Sequence, residues 1–178
     1  SLTVSADTLS VRNGGAITTV SNTPRPAGAI EITAGALSVD GARSLVSSEN
    51  LAGNVAFGNP RGQIGDAGSV FIRTDGLSVS NGGRITTNSF AGAAGQITIS
   101  IDRPGILVLK GAIAPGVIQT SSGAGTGGEI TISDPLAIIS NGGSILALGQ
   151  QRGVNVTLQS RYFINASDRS NTVAVDGD

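Results

Sequence analysis

The chain contains no cysteine and no histidine. Those two absences remove a thiol nucleophile, a Ser-His-Asp triad, every His or Cys metal site and every disulfide, so stability must come from packing and hydrogen bonds alone. Aromatic residues make up 3% of the chain, too few for the stacking platforms that hold single-stranded nucleic acid. The 11 basic residues are offset by 12 acidic ones, for a net charge of −1, and they are spread along the chain rather than clustered. A phosphate backbone would find no basic surface, so no nucleic-acid partner is expected. No apolar run reaches the roughly 18 residues that a membrane-spanning helix needs. Helical signals are also missing, because no segment keeps an apolar stripe at i, i+3, i+4 for long.

Glycine, by contrast, is abundant, with 27 copies, and it recurs at fixed places in a repeat. One phrase returns as Gly28-Ala29-Ile30-Glu31-Ile32, Gly68-Ser69-Val70-Phe71-Ile72, Gly95-Gln96-Ile97-Thr98-Ile99 and Gly128-Glu129-Ile130-Thr131-Ile132. A second returns as Leu9-Ser10-Val11-Arg12-Asn13-Gly14-Gly15-Ala16-Ile17, Leu77-Ser78-Val79-Ser80-Asn81-Gly82-Gly83-Arg84-Ile85 and the ending Asn141-Gly142-Gly143-Ser144-Ile145. Self-similarity at roughly 25–40 residues marks stacked structural units.

Within each unit the apolar residues alternate with polar ones. Ile30-Glu31-Ile32, Leu37-Ser38-Val39 and, more weakly, Ile85-Thr86-Thr87 each place apolar side chains on one face of a short strand. Three short strands cannot stand alone, but stacked copies pair in parallel and merge their Ile, Leu and Val into ladders. The prediction is an all-β chain, a right-handed parallel β-helix (β-solenoid) of about six coils, each with three short strands and projecting loops. Coil starts fall near Leu2, Gly28, Gly68, Gly95, Gly128 and Gly153, which gives a rod of roughly 25–30 Å. Residues 1–178 read as one repeat domain. Because the chain starts and stops inside repeats, a piece of a longer protein is expected.

Excess residues between coils are predicted to project as loops after the third strand: Asn22 to Ala27, Ser47 to Ala67, and the segment with Ala114-Pro115-Gly116. The 47–67 loop is the candidate for binding specificity. Phe57 and Phe90 are expected to clip loops back onto the coil. Asn13, Asn81, Asn141 and Asn165 are expected to share one column at a left-handed turn, interrupted by Asp40 and Lys110.

The Gly-x-Ile-Thr-Ile, Leu-Ser-Val-x-Asn-Gly-Gly-x-Ile and Gly/Ser-rich phrases resemble the repeat regions of filamentous haemagglutinin-like exoproteins, above all those of cyanobacteria. Gly95 to Ile99 and Leu77 to Thr87 carry the likeness best, and it covers nearly the whole chain. The resemblance implies the shaft of a secreted, cell-surface adhesin exported by two-partner secretion. Its partners would then be an outer-membrane transporter and a surface glycan or protein receptor. The absence of cysteine suits a chain threaded unfolded through a periplasm. The motifs of the family's secretion domain are not seen here, so none of the family's functional residues carries over.

Four candidate sites follow from the residues. Asp75, Asp102 and Asp134, with Asp7, lie between the first and second strands of their coils. Stacked at about 5 Å, carboxylates repel unless a cation such as Ca²⁺ bridges them; the alternative is that Asp simply suits turns. Phe71 falls at the outward middle position of a strand otherwise occupied by Thr3, Glu31, Thr98, Thr131 and Thr157. It is either a partner-contact residue or one covered by a loop, and with Glu31 it spoils the regular threonine face that ice binding needs. The same three aspartates with Arg103 and Lys110 would have to serve a carbohydrate-active lyase or hydrolase, the alternative function, but no second carboxylate flanks them at a glycosidase spacing. No enzyme activity and no cofactor other than this Ca²⁺ is expected. Finally, the end coils present unpaired strands, which favours end-to-end association.

Overall fold

A computed structural model describes residues 1–111, 114–151, 155–166 and 170–176, with only the backbone of Arg103. The predicted coil start at Gly153 lies outside them. The chain folds as a right-handed parallel β-solenoid of about six turns. The coils are β1 (Leu2–Arg12) with β2 (Ala16–Ser21), β3 (Ile30–Asp40) with β4 (Leu45–Asn50), and β5 (Val70–Ser80) with β6 (Arg84–Ser89). They continue with β7 (Ile97–Lys110) and β8 (Val117–Ser122), then β9 (Ile130–Ser133), β10 (Ala137–Asn141) and β11 (Ser144–Leu148). The last coil is β12 (Val156–Gln159), β13 (Tyr162–Asn165) and β14 (Thr172–Asp176). One sheet runs β1-β3-β5-β7-β10-β13, with β9 on β7 and β12 on β9; the other runs β2-β4-β6-β8-β11-β14.

The first two predicted strands of each coil are fused in β1, β3, β5 and β7. The break between them survives as a slip in phase. In β3, Ile30, Ile32 and Ala34 are buried, then Leu37 and Val39. Gly35 and Ala36 both lie on the outer side, so the strand bends there without leaving the ladder. In the fifth coil the corner is a true break: Asp134 takes a left-handed φ of 66°, and Pro135 has no N–H to offer.

Inside, like stacks on like. Ile30, Val70, Ile97 and Ile130 form one column, Ile32, Ile72, Ile99 and Ile132 a second, and Leu37, Leu77, Leu107 and Ile138 a third, all buried. Each such side chain contributes about 1.5–3 kcal/mol relative to exposure. The second sheet adds Val46, Ile85, Ile118 and Ile145.

The third side carries no strand among the described residues, and its close packing explains the glycine of the first phrase. A Cβ on Gly68 would run into the carbonyl oxygen of Gly28, one on Gly95 into that of Gly68, and one on Gly128 into that of Gly95. The coil-to-coil bonds persist there, as in Ala27 N–H to Asp66 O at 2.9 Å and Ala67 N–H to Ala93 O at 2.9 Å. Buried hydroxyls from the second sheet fasten this side: Thr87 Oγ1 donates to Gly95 O at 2.7 Å and Thr120 Oγ1 to Gly128 O at 2.9 Å.

Three loop expectations change. Ser47 to Asn50 belong to β4, and Ser47, Ser48 and Asn50 are fully buried, so the long loop begins at Leu51. The Ala114-Pro115-Gly116 segment joins β7 to β8, at the corner between the two sheets rather than after the third strand. Phe57 is 65% exposed and Phe90 45% exposed; neither clips its loop to the coil.

The asparagine column also fails, because the turns differ in length. Asn141 pairs with Lys110, which pairs with Ser80, while Asn81 lies one residue further on, in the turn. Asn13 and Asn81 take left-handed φ of 56° and 52°, whereas in the fifth coil Gly142 takes that role. Asn165 pairs with Ser140, a position that is inward in earlier coils.

Candidate functional site

The outer side of the first sheet's leading limb is a flat lattice set by strand register. Glu31, Phe71 and Thr98 lie side by side, and so do Thr33, Arg73 and Ser100. Alternation turns all six outward, because their neighbours Ile32, Ile72 and Ile99 point into the core. These six residues line a shallow groove of about 480 Å³. Phe71 is 40% exposed within it, so no loop covers the ring.

Beside the ring, Arg73 donates from Nε to Asp102 Oδ2 at 3.1 Å and from Nη2 to Asp102 Oδ1 at 3.4 Å. Both side chains are well exposed, so the pair adds little to stability. Its effect is positional, since the two bonds tie the guanidinium on β5 to the carboxylate of the next coil.

The same pair shows what becomes of the aspartates. Thr74 pairs with Ile101 and Gly76 with Ile106, so Asp75 alone faces residues 102–105. It is Gly105 that stacks on Asp75, for a Cβ there would collide with the Asp75 carbonyl oxygen. The extra residues swing Asp102 out of the corner and onto Arg73. Ser133 pairs with Ser100, so Asp134 enters its corner one position before Asp102, and its N–H bonds to Gln159 O at 3.1 Å. Asp75, Asp102 and Asp134 therefore do not form one column, and among the described residues no three acidic side chains gather closely enough to hold a metal ion. In the carbohydrate-active alternative, the Arg103 side chain lies outside the described residues, and Lys110 sits at the far end of β7 from Ile97.

Two features escaped the sequence. Asn50 is a buried peg beneath two loops: Nδ2 donates to Arg25 O at 2.8 Å, Asp66 O at 3.1 Å and Thr23 O at 3.3 Å, while Oδ1 accepts from Ala52 N at 2.9 Å. Its place at the end of β4, aligned with Ser21 and Ser89, is the signal that could have found it. The second is an apolar outer strip. Columns that carry Gly76 and Ser78 in the third coil carry Ile106 and Val108 in the fourth. Ile106 is 38% exposed, and the step lines a groove of about 310 Å³ with Leu37 and Leu77.

At the turn after β3, Asp40 accepts from Ser80 Oγ at 2.6 Å and Asn81 Nδ2 at 2.8 Å. Those two bonds, helped by the charge of Arg12 and opposed by burial, hold its carboxyl below the ordinary value of 3.8. The group ties one coil to the next, which is a structural task. No protein-family model matches this chain, and neither a curated protein nor a solved structure does.

Proposed function

We propose that this chain is a rigid shaft segment of a secreted exoprotein at the cell surface, related in kind to the filamentous haemagglutinin-like adhesins and exported through an outer-membrane partner of the two-partner type. Its work is mechanical and interactive: it holds loops and an outer face at a fixed distance and presents them to a surface glycan or protein. The observation that carries this reading is the parallel pairing of coil on coil through both sheets, in which the first sheet absorbs its irregularities at the corner and resumes its register, with extra residues diverted into loops. A ladder of this kind resists bending and local opening because each inner coil is fixed on both sides. The polar side chains that enter the coil serve the same end, since among the described residues none that is buried lacks a hydrogen-bond partner.

The test is topological. Antibodies raised against the folded chain should label intact, unpermeabilised source cells, and the label should vanish when the gene for the outer-membrane transporter is deleted. Labelling that appears only after permeabilisation would reject surface display.

A further inference from the structure

We propose that the face around Phe71 is a binding site for a neutral saccharide. The inference deepens the contact part of the preceding reading and rests on it. The lattice of Glu31, Thr33, Phe71, Arg73, Thr98 and Ser100 spans about 10 Å along the solenoid and about 7 Å along the strands, a footprint for one or two pyranose rings. The exposed Phe71 ring offers a negative face to the partly positive C–H groups of a sugar ring. Around it stand groups suited to vicinal hydroxyls: the Glu31 carboxylate accepts, the Thr98 hydroxyl does both, and Arg73 donates from the part of its fork outside the Asp102 pair.

Other occupants fit less well. A peptide adding as a strand needs a free sheet edge, whereas the backbones of β3, β5 and β7 are paired on both sides here. An ice lattice needs an unbroken hydroxyl array, and Glu31 and Phe71 interrupt it. A lipid surface needs a broad apolar face, whereas five of the eight lining residues are polar or charged and Ile32 and Ile72 are buried at the floor, which leaves Phe71 as the exposed apolar side chain of the groove. Charge then separates the sugars. Asp102 already neutralises Arg73, which leaves Glu31 as the uncompensated charge of this cluster, so a sulphated or sialylated glycan meets repulsion where a neutral one does not.

The experiment is a titration of the ¹⁵N-labelled chain, followed by amide shifts, with neutral disaccharides of gluco, galacto and N-acetylglucosamine type and with a sulphated disaccharide. At least one neutral sugar should shift the amides of residues 31, 71 and 98, with a Kd on the order of 1 mM for so shallow a groove. Phe71→Ala should weaken that binding roughly tenfold, Phe71→Tyr should retain it, and Thr131→Ala, on the same face in the next-but-one coil, should leave it unchanged. Because Phe71 points outward, both of its variants keep the spectrum of the remaining coils and the comparison stays valid. No response from any neutral sugar, shifts that survive Phe71→Ala, or tighter binding of the sulphated sugar would each overturn the proposal. Surface labelling of cells reads display without any sugar, so failure here and failure of the shaft reading are separate results.

Discussion

Asp40 shows how a single side chain ties neighbouring coils. Its carboxylate takes hydrogen bonds from Ser80 and Asn81, one coil further on, and these, with Arg12, keep its pKa below the ordinary 3.8. A folded pKa below the unfolded one means that the bonds stabilise above the ordinary value and are lost as pH falls through the depressed one. Replacing Asp40 with Asn should therefore cost about 1 kcal/mol at neutral pH. The difference between variant and parent should close as the pH falls below the ordinary carboxylate value of 3.8 and through the depressed one. Urea unfolding across that range is the check, and a gap that stays constant with pH would show that the carboxylate's charge is not what holds the turn. The residue is legible in sequence only as an exception to Asn. Its partners are not legible, because the turn at 41–44 is one residue longer than those at 13–15 and 81–83, which shifts the residues that meet there.

At the scale of elements, loops and strands meet at Asn50. The side chain reaches the carbonyls of Thr23, Arg25 and Asp66, so it fixes the loop after β2 and both ends of the loop after β4 from beneath. Asn50→Ala strips several buried carbonyls of a donor and should destabilise the chain by roughly 2–3 kcal/mol. Brief proteolysis should then cut faster within 22–27 and 51–67 than in the parent, while the turns beyond β7 keep their resistance. An unchanged cleavage pattern would mean that the loops are held by their own contacts.

The sequence foretold the solenoid because alternation and glycine spacing report directly on stacking: Ile30, Ile32, Leu37 and Val39 all fall where the periodicity placed them. It misled at the corners. Whether Asp102 stands over Asp75 depends on how the ladder absorbs Arg103 and Pro104, and no local pattern states that. The candidate face was half legible. Period two put Phe71 outside, but its bareness and the Arg73–Asp102 pair beside it depend on register between coils.

At the scale of the whole molecule, the same stacking rule applies to the two ends. β1 and β2 at one end, and β12, β13 and β14 at the other, are paired on one side only. Core columns that are fully buried in mid-rod become partly exposed there: Val173 is 47% exposed, over Ile145 at 1%. Continuing the register would set Leu2 and Val4 of one copy against Val156 and Leu158 of another, and Ile17 against Val173. Such a contact is head-to-tail and does not close, so it builds short filaments rather than a dimer of fixed size. We predict that the chain alone sediments faster as its concentration rises, with a broadening distribution. Val173→Lys, which sets a charge on the open edge, should return it to a single slow species without loss of fold, since lysine on an edge strand blocks further pairing. Sedimentation independent of concentration in the parent would refute end stacking; association that persists in the lysine variant would place the contact on a side face, where the exposed step at Ile106 and Val108 is the next surface to charge.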